Sequence, residues 1–139
     1  MPVDLETETS LLAILRKFNE GFANCDLEGL IELFGTEPNL MFLGSGAEEQ
    51  ARTHSELRML LGGLLADYQS VSLEWGQPII AASGSVAWLT VTARIYLQQG
   101  DRTTTIPYRL TGVFVKQGER WLWMQYHGSE PADSQGPTN

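Results

Sequence analysis

His127 and Glu74 are the two side chains of this 139-residue chain that pair acid–base chemistry with a place inside a β-rich run. Taking a proton from carbon needs a base poised near the working pH and within hydrogen-bond reach. An imidazole, with its ordinary pKa near ~6.5, meets the first condition. Glu74 is the only carboxylate inside the later runs, because Asp101 and Glu119 sit in turns. Together they would form an acid/base dyad if carboxylate and imidazole lay within about 6 Å. Each also has a plainer reading. His127 could be a cavity-wall histidine bonded to Gln125 or Ser129, and Glu74 a solvated strand residue that turns inward only if an interruption at residues 76–78 shifts its register.

Other reactive residues carry less. Arg94 and Arg109 could hold an acidic ligand, but they fall with Thr111, Thr92 and Trp88 on one strand face, where arginine and aromatic residues suit an interface. Trp75, Trp88, Trp121 and Trp123 could stack a planar ligand or fill core and interface. Cys25 reads as a small buried hydrophobe. With His54, His127 and one cysteine there is no convincing zinc set. Residues 44–46 (Gly-Ser-Gly) lack the spacing of a nucleophile elbow or phosphate loop. No metal and no cofactor is expected.

The positioning elements follow from periodicity. Leu11, Ile14, Leu15, Phe18 and Phe22 recur at helical spacing, ending near Asn24. Asp26 caps a short second helix carrying Leu27, Leu30, Ile31 and Phe34, stopped by Gly35 and Pro38. Residues 39–43 make a short strand. Thr53 and Glu56 form a capping box for a third helix, whose Gly62 and Gly63 predict a close approach to a sheet. From residue 69 the period becomes two, with a bulge expected at residues 76–78. Long runs at 87–95, 108–115 and 121–129, separated by Gly100 and Gly118 turns, form two hairpins.

The first hairpin, with Gln99 opposite Arg102, puts Ala87, Leu89, Val91, Ala93 and Ile95 on one face with Ile106, Tyr108, Leu110, Gly112 and Phe114. The second, with Gln117 opposite Arg120, adds Trp121, Trp123, Gln125 and His127 to that face and sends Tyr126 to the other. The fold class is therefore α+β, three N-terminal helices covering one face of a curved antiparallel sheet.

Composition bounds the rest. The chain has the length of one domain: a loose lead over residues 1–8, a domain over 9–131 and a disordered tail over 132–139. Net charge is -8, and residues 1–50 hold ten acids against Arg16 and Lys17, which accounts for all of it. Such a surface disfavours nucleic acid and anionic membranes as partners. With one cysteine and an acidic start, a cytoplasmic protein is the expectation.

The segment at residues 108–113 (Tyr-Arg-Leu-Thr-Gly-Val) and that at 121–131, with the order of elements, resemble the nuclear transport factor 2-like superfamily over residues 9–131. The SnoaL-like proteins and the association domain of calcium/calmodulin-dependent protein kinase II are the most similar groups. The resemblance implies a cystatin-like cone with a cavity, and an outer sheet face used to form a homodimer through Trp88, Arg94, Arg109, Thr111 and Tyr126. Ketosteroid isomerase-like members keep an inward aspartate on the strand that here is acid-free, residues 39–43. The kinase domain ends in His-x-His-x-Ser, and Gln125 replaces the first histidine. Its cavity arginines match Ala93 and Gly112, which implies a cavity less suited to an anion.

The resulting expectation is a homodimer that binds an apolar or weakly polar small molecule, with His127, Gln125, Tyr108, Trp123 and Trp75 as ligand contacts. Two alternatives stand beside it. One is an isomerase, dehydratase or cyclase acting on a polyketide-like or steroid-like ring, with His127, or Glu74, as catalytic base. The other is an oligomerisation module.

Overall fold

The computed structural model describes residues 3–132 and contains three helices and a seven-stranded sheet. Helix α1 spans Leu5–Ala23, with Asp4 Oδ1 accepting from the Thr7 amide at 2.7 Å. That cap starts the helix inside the segment expected to be a loose lead, because an Asp N-cap satisfies an otherwise orphaned N–H. Of the expected tail at 132–139, residues 133–139 lie outside the described residues.

The turn after α1 corrects the expectation for Cys25. It is exposed, with φ 52°, rather than buried. Asp26 N bonds to Gly21 O at 2.8 Å and Cys25 N to Phe22 O at 3.2 Å, the paired bonds of a Schellman motif with cysteine in its left-handed position. Asp26 then caps α2 (Leu27–Ile31) through the Gly29 amide at 3.1 Å. Helix α3 (His54–Asp67) starts with Thr53 Oγ1 accepting from Glu56 N at 3.0 Å, while Glu56 reaches back to the Arg52 amide at 2.7 Å. His54 Nε2 lies 3.0 and 2.9 Å from the carbonyls of Phe34 and Gly35. Carbonyls only accept, so this nitrogen carries a proton and ties α3 to the segment after α2.

The strands are β1 (Met41–Leu43), β2 (Gln50–Ala51), β3 (Ser70–Trp75), β4 (Ile79–Ser83), β5 (Val86–Gln99), β6 (Arg102–Gln117) and β7 (Arg120–Ser129). Their order is β2-β1-β7-β6-β5-β3, with β4 also on β5. The sheet is curled and unclosed, and antiparallel except where β1 runs parallel to β7. The first hairpin has the expected register, Gln99 opposite Arg102, and pairs Ala87 with Phe114, Val91 with Leu110 and Ala93 with Tyr108 on the helix-covered face.

The expected interruption at residues 76–78 lies between β3 and β4. Trp75 faces Ala93 and Ile79 faces Thr90, so four steps on one side match three on the other. The extra residue is there, but β4 beyond it is a separate strand that the run Ile-Ile-Ala-Ala-Ser, lacking alternation, does not announce. Along its free edge β3 is held by α1: Leu73 N donates to Asn19 Oδ1 at 2.9 Å, and Trp75 Nε1 to Leu15 O at 3.0 Å.

Strand β7 contains the decisive irregularity. Gln117 faces Arg120 as expected, and Trp123 faces Phe114, but Val113 faces Gln125. Met124 is thus a bulge residue, and beyond it every side chain changes face. Trp123 N and O bond to Leu33 O and Gly35 N, both at 2.9 Å, before β1 takes over as the neighbour of β7. The Met124 sulfur occupies the space where a side chain on Gly35 would stand.

The core lies between the helices and the inner sheet face. Trp123, fully buried, stacks on Phe34 at 5.1 Å and 12° and touches Phe18, Phe114 and Tyr126 at 5.3, 5.0 and 5.2 Å. No helix among the described residues is long and apolar enough to cross a membrane.

Gly62 and Gly63 do not mark a close approach to the sheet. Gly62 would place a Cβ 3.4 Å from Leu27 of α2, and Gly63 faces open space. Replacing Gly63 with alanine should therefore stabilise the protein by about 1 kcal/mol, read as a raised urea midpoint with an unchanged m-value.

Candidate functional site

The inner sheet face and the helices leave a cavity of about 260 Å³. Its walls come from Phe18 and Phe22 on α1, from three leucines of α3, and from Val71, Leu73, Ile95 and Ile106 on the strands. The loop from Gly44 to Glu49 and Glu130, just after β7, form the mouth. Six of the lining side chains are aromatic: Phe18, Phe22, Phe42, Tyr68, Tyr108 and Tyr126.

Two buried hydroxyls stand in this apolar space. Tyr108 Oη and Tyr126 Oη are 2.8 Å apart, on residues only 5% and 4% exposed. Tyr108 reaches inward because β6 alternates without fault, and Tyr126 because the Met124 bulge turns it inward. Its ring stacks on Phe42 at 4.1 Å and 12°. Gly128, the next inward residue of β7, leaves room for the Tyr108 hydroxyl, which occupies the place of a Cβ there. Each phenol carries one proton and the pair needs only one for its own bond, so one proton remains free for donation.

Burial keeps both phenols neutral. It pushes the Tyr108 phenol up from its ordinary 10.0 to about 12, against the opposing effect of the Tyr126 bond, and Glu49 and Glu130 add to the rise. Tyr126 is raised well above 10.0, first by burial and then by Tyr108 and Glu49. The mouth carboxylates are held by one loop: Glu49 Oε1 accepts from the Gly46 amide at 3.0 Å, and Glu130 Oε2 from the Ser45 hydroxyl at 3.3 Å.

The residues expected from sequence divide accordingly. Tyr108 lines the cavity. Trp123 lies in the core beside it, and Trp75 packs on Phe18 at 6.4 Å; neither lines the cavity. His127 and Gln125 are exposed on the outer face, opposite Thr111 and Val113, so their expected inward orientation is overturned by the bulge. Tyr126, assigned by the unbroken alternation to the outer interface, is a buried cavity residue for the same reason. Trp88, Arg94, Arg109 and Thr111 are exposed on the outer face as expected.

Glu74 also faces outward, accepting from Tyr96 Oη at 3.0 Å. It pairs with Arg94, whereas His127 is linked through Thr111 to Thr90. Three strand spacings, about 14 Å, and four residues along β5, about 13 Å, therefore separate the proposed dyad, far beyond contact. Ala93 and Gly112 are buried at inward positions, and no lysine, arginine or histidine lines the cavity. Among the described residues no three His, Cys, Asp or Glu side chains converge as metal ligands.

Sequence reasoning did not reach Tyr126, Glu49 or Glu130 as cavity residues. The available signal was the spacing of Trp123 and Tyr126: two large aromatics three apart in a strand cannot share a face without a bulge.

The tyrosine pair makes a pH prediction. The folded state holds these phenolic protons more tightly than the unfolded chain, whose tyrosines ionise near 10.0. Their contribution to stability is fully present below about pH 10 and is lost as pH rises towards 12. Urea unfolding across that range should show a steep loss, and a Tyr108→Phe/Tyr126→Phe variant should lose less.

Three solved structures show where this fold recurs. A Streptomyces avermitilis protein provisionally described as a dehydratase of the nuclear transport factor 2-like family superposes with a TM-score of 0.79 at 16% identity, over 88% of this chain and 95% of its own. A Xanthomonas campestris protein provisionally described as a calcium/calmodulin-dependent protein kinase II association domain gives 0.78 at 14%, over 88% and 86%. A nuclear transport factor 2-like protein with a cystatin-like fold from Novosphingobium aromaticivorans gives 0.78 at 13%, over 94% and 85%. At these identities the likeness is one of fold. No curated protein matches the chain in sequence. The SnoaL-like domain matches residues 11–133, nearly the whole sequence, and the chain belongs to that family.

Proposed function

We propose that the cavity binds a small, largely apolar molecule whose polar atom is oriented by Tyr108 and Tyr126. One observation carries this reading: two buried hydroxyls with a donor proton to spare stand inside a space walled by aromatic and aliphatic side chains. Apolar walls with a few convergent polar groups are the usual make-up of a small-molecule site. At about 260 Å³ the cavity is just below the roughly 300–1,000 Å³ of pockets that take drug-sized ligands, a scale that suits a compact molecule of one or two rings. His127 and Gln125 have no part in it.

A second reading, a dehydratase, isomerase or cyclase, is favoured by the same spare proton. A neutral donor fixed in an apolar site is what polarises a carbonyl as charge builds on its oxygen. The similarity in fold to the Streptomyces avermitilis protein is compatible with it. Neither His127 nor Glu74 reaches the cavity, so the base in this reading is Glu49 or Glu130 at the mouth.

Thermal-shift screening of hydrophobic metabolites tests the binding role. Ligands should raise Tm. The Tyr108→Phe/Tyr126→Phe variant should bind them about tenfold more weakly, the worth of one hydrogen bond of about 1.4 kcal/mol, while His127→Ala binds as the parent does. A screen in which nothing stabilises the protein, or a tyrosine variant with parent affinity, rejects the proposal.

The outer sheet face supports a homodimer. Trp88 is 44% exposed, Ile79 71%, Met41 45% and Leu43 41%, and all four project from the side of the sheet that carries Thr90, Thr111 and His127. Large apolar side chains gathered on one face suit a protein partner better than water. Sedimentation at micromolar concentration should give a dimer, and Trp88→Glu should give a folded monomer. A monomeric parent protein refutes this part.

A further inference from the structure

We infer that the guest of this cavity is a protonated hydrophobic amine, its ammonium group at the mouth beside Glu49 and Glu130 and its apolar body against the aromatic walls. This rests on the reading of the cavity as a ligand site and adds the charge of the ligand.

Two observations point the same way. The lining contains two carboxylates and no basic side chain. Among the described residues the ion pairs are Arg16 with Glu20 and Arg58 with Glu28, so neither mouth carboxylate has a cationic partner.

The two acids are also positioned rather than loose. Both are anchored on residues of one loop, Glu49 on the Gly46 amide and Glu130 on the Ser45 hydroxyl. Gly44 and Gly46 leave free the space that the Glu49 side chain fills, so the loop sequence suits a carboxylate lying over it. Glu49 and Glu130 both bear on the ionisation of Tyr108 at the inner end, so their charge is felt through the cavity.

Physics then separates ligand classes. Carboxylates at the mouth of a cleft with low-dielectric walls focus their field on it, raising the local concentration of cations and excluding anions. Aromatic ring faces add their own attraction for an ammonium group. A neutral molecule gains neither effect, and a carboxylic acid meets two like charges. The net charge of -8 draws cations towards the protein at long range as well.

Isothermal titration calorimetry on the full chain at neutral pH, with three probes of one shape, tests the inference: 4-phenylbutylamine, 4-phenylbutan-1-ol and 4-phenylbutanoate. The amine should bind about tenfold more tightly than the alcohol, and the carboxylate most weakly. In Glu49→Gln/Glu130→Gln the amine's advantage should fall below about threefold, because an amide oxygen still accepts from Gly46 N and Ser45 Oγ but carries no charge. Should the double variant unfold, Glu130→Gln alone, at an exposed residue, should still reduce that advantage. Amine and alcohol binding alike, carboxylate binding as tight as amine, or an advantage untouched by the substitutions would overturn the charge assignment and leave the ligand site standing. No binding by any probe overturns both.

Discussion

The extra residue at Met124 governs what the cavity can do. A strand presents alternate side chains to alternate faces, so one inserted residue exchanges the two sets beyond it. Before the bulge β7 sends Trp123 into the core; after it, β7 sends Tyr126 inward and His127 outward. The cavity consequently contains a phenol pair and no imidazole. The bulge is supported on both sides, by the bonds of Trp123 to Leu33 and Gly35 and by the packing of the Met124 sulfur against Gly35. From α3, His54 holds the Phe34 and Gly35 carbonyls of that same segment, so three elements converge on a single irregularity.

Where the sequence carried its own punctuation, the fold was legible. The Gly100 and Gly118 turns set both hairpin registers, and Asp26 and Thr53 marked two helix starts through caps that the structure contains. The family, too, could be recognised from the later strands. The site was less legible, for a physical reason: the bulge uses methionine, with neither glycine nor proline to signal it, so alternation extrapolated past residue 123 put Gln125, Tyr126 and His127 on the wrong faces. The interruption between Trp75 and Ile79, by contrast, is flagged by Gly76 and Pro78. The parallel pairing of β1 with β7 depends on contacts far apart in the chain and leaves no local mark.

Glu49 and Glu130 escaped notice because each sits in an irregular segment where acidic residues are ordinarily solvated. Their significance comes from the loop that gathers them at one mouth and from the absence of any basic residue in the lining. The same loop keeps the mouth polar while α3 and the sheet close the rest of the cavity with leucine, valine and aromatic rings. In the proposed ligand site, charge at the rim and a neutral donor within would give a guest two distinct points of reference, and hence an orientation.

The bond from Leu73 N to Asn19 has a bearing on how copies of this chain can meet. A strand whose outward amide is already engaged by a helix offers a poor template for a further strand, and the indole of Trp75 clips the same border to α1. Lengthening of the sheet sideways, the route by which open sheets polymerise, is thereby discouraged on that flank. Growth into fibres is hindered there, while stacking of one molecule's broad surface on another's stays open.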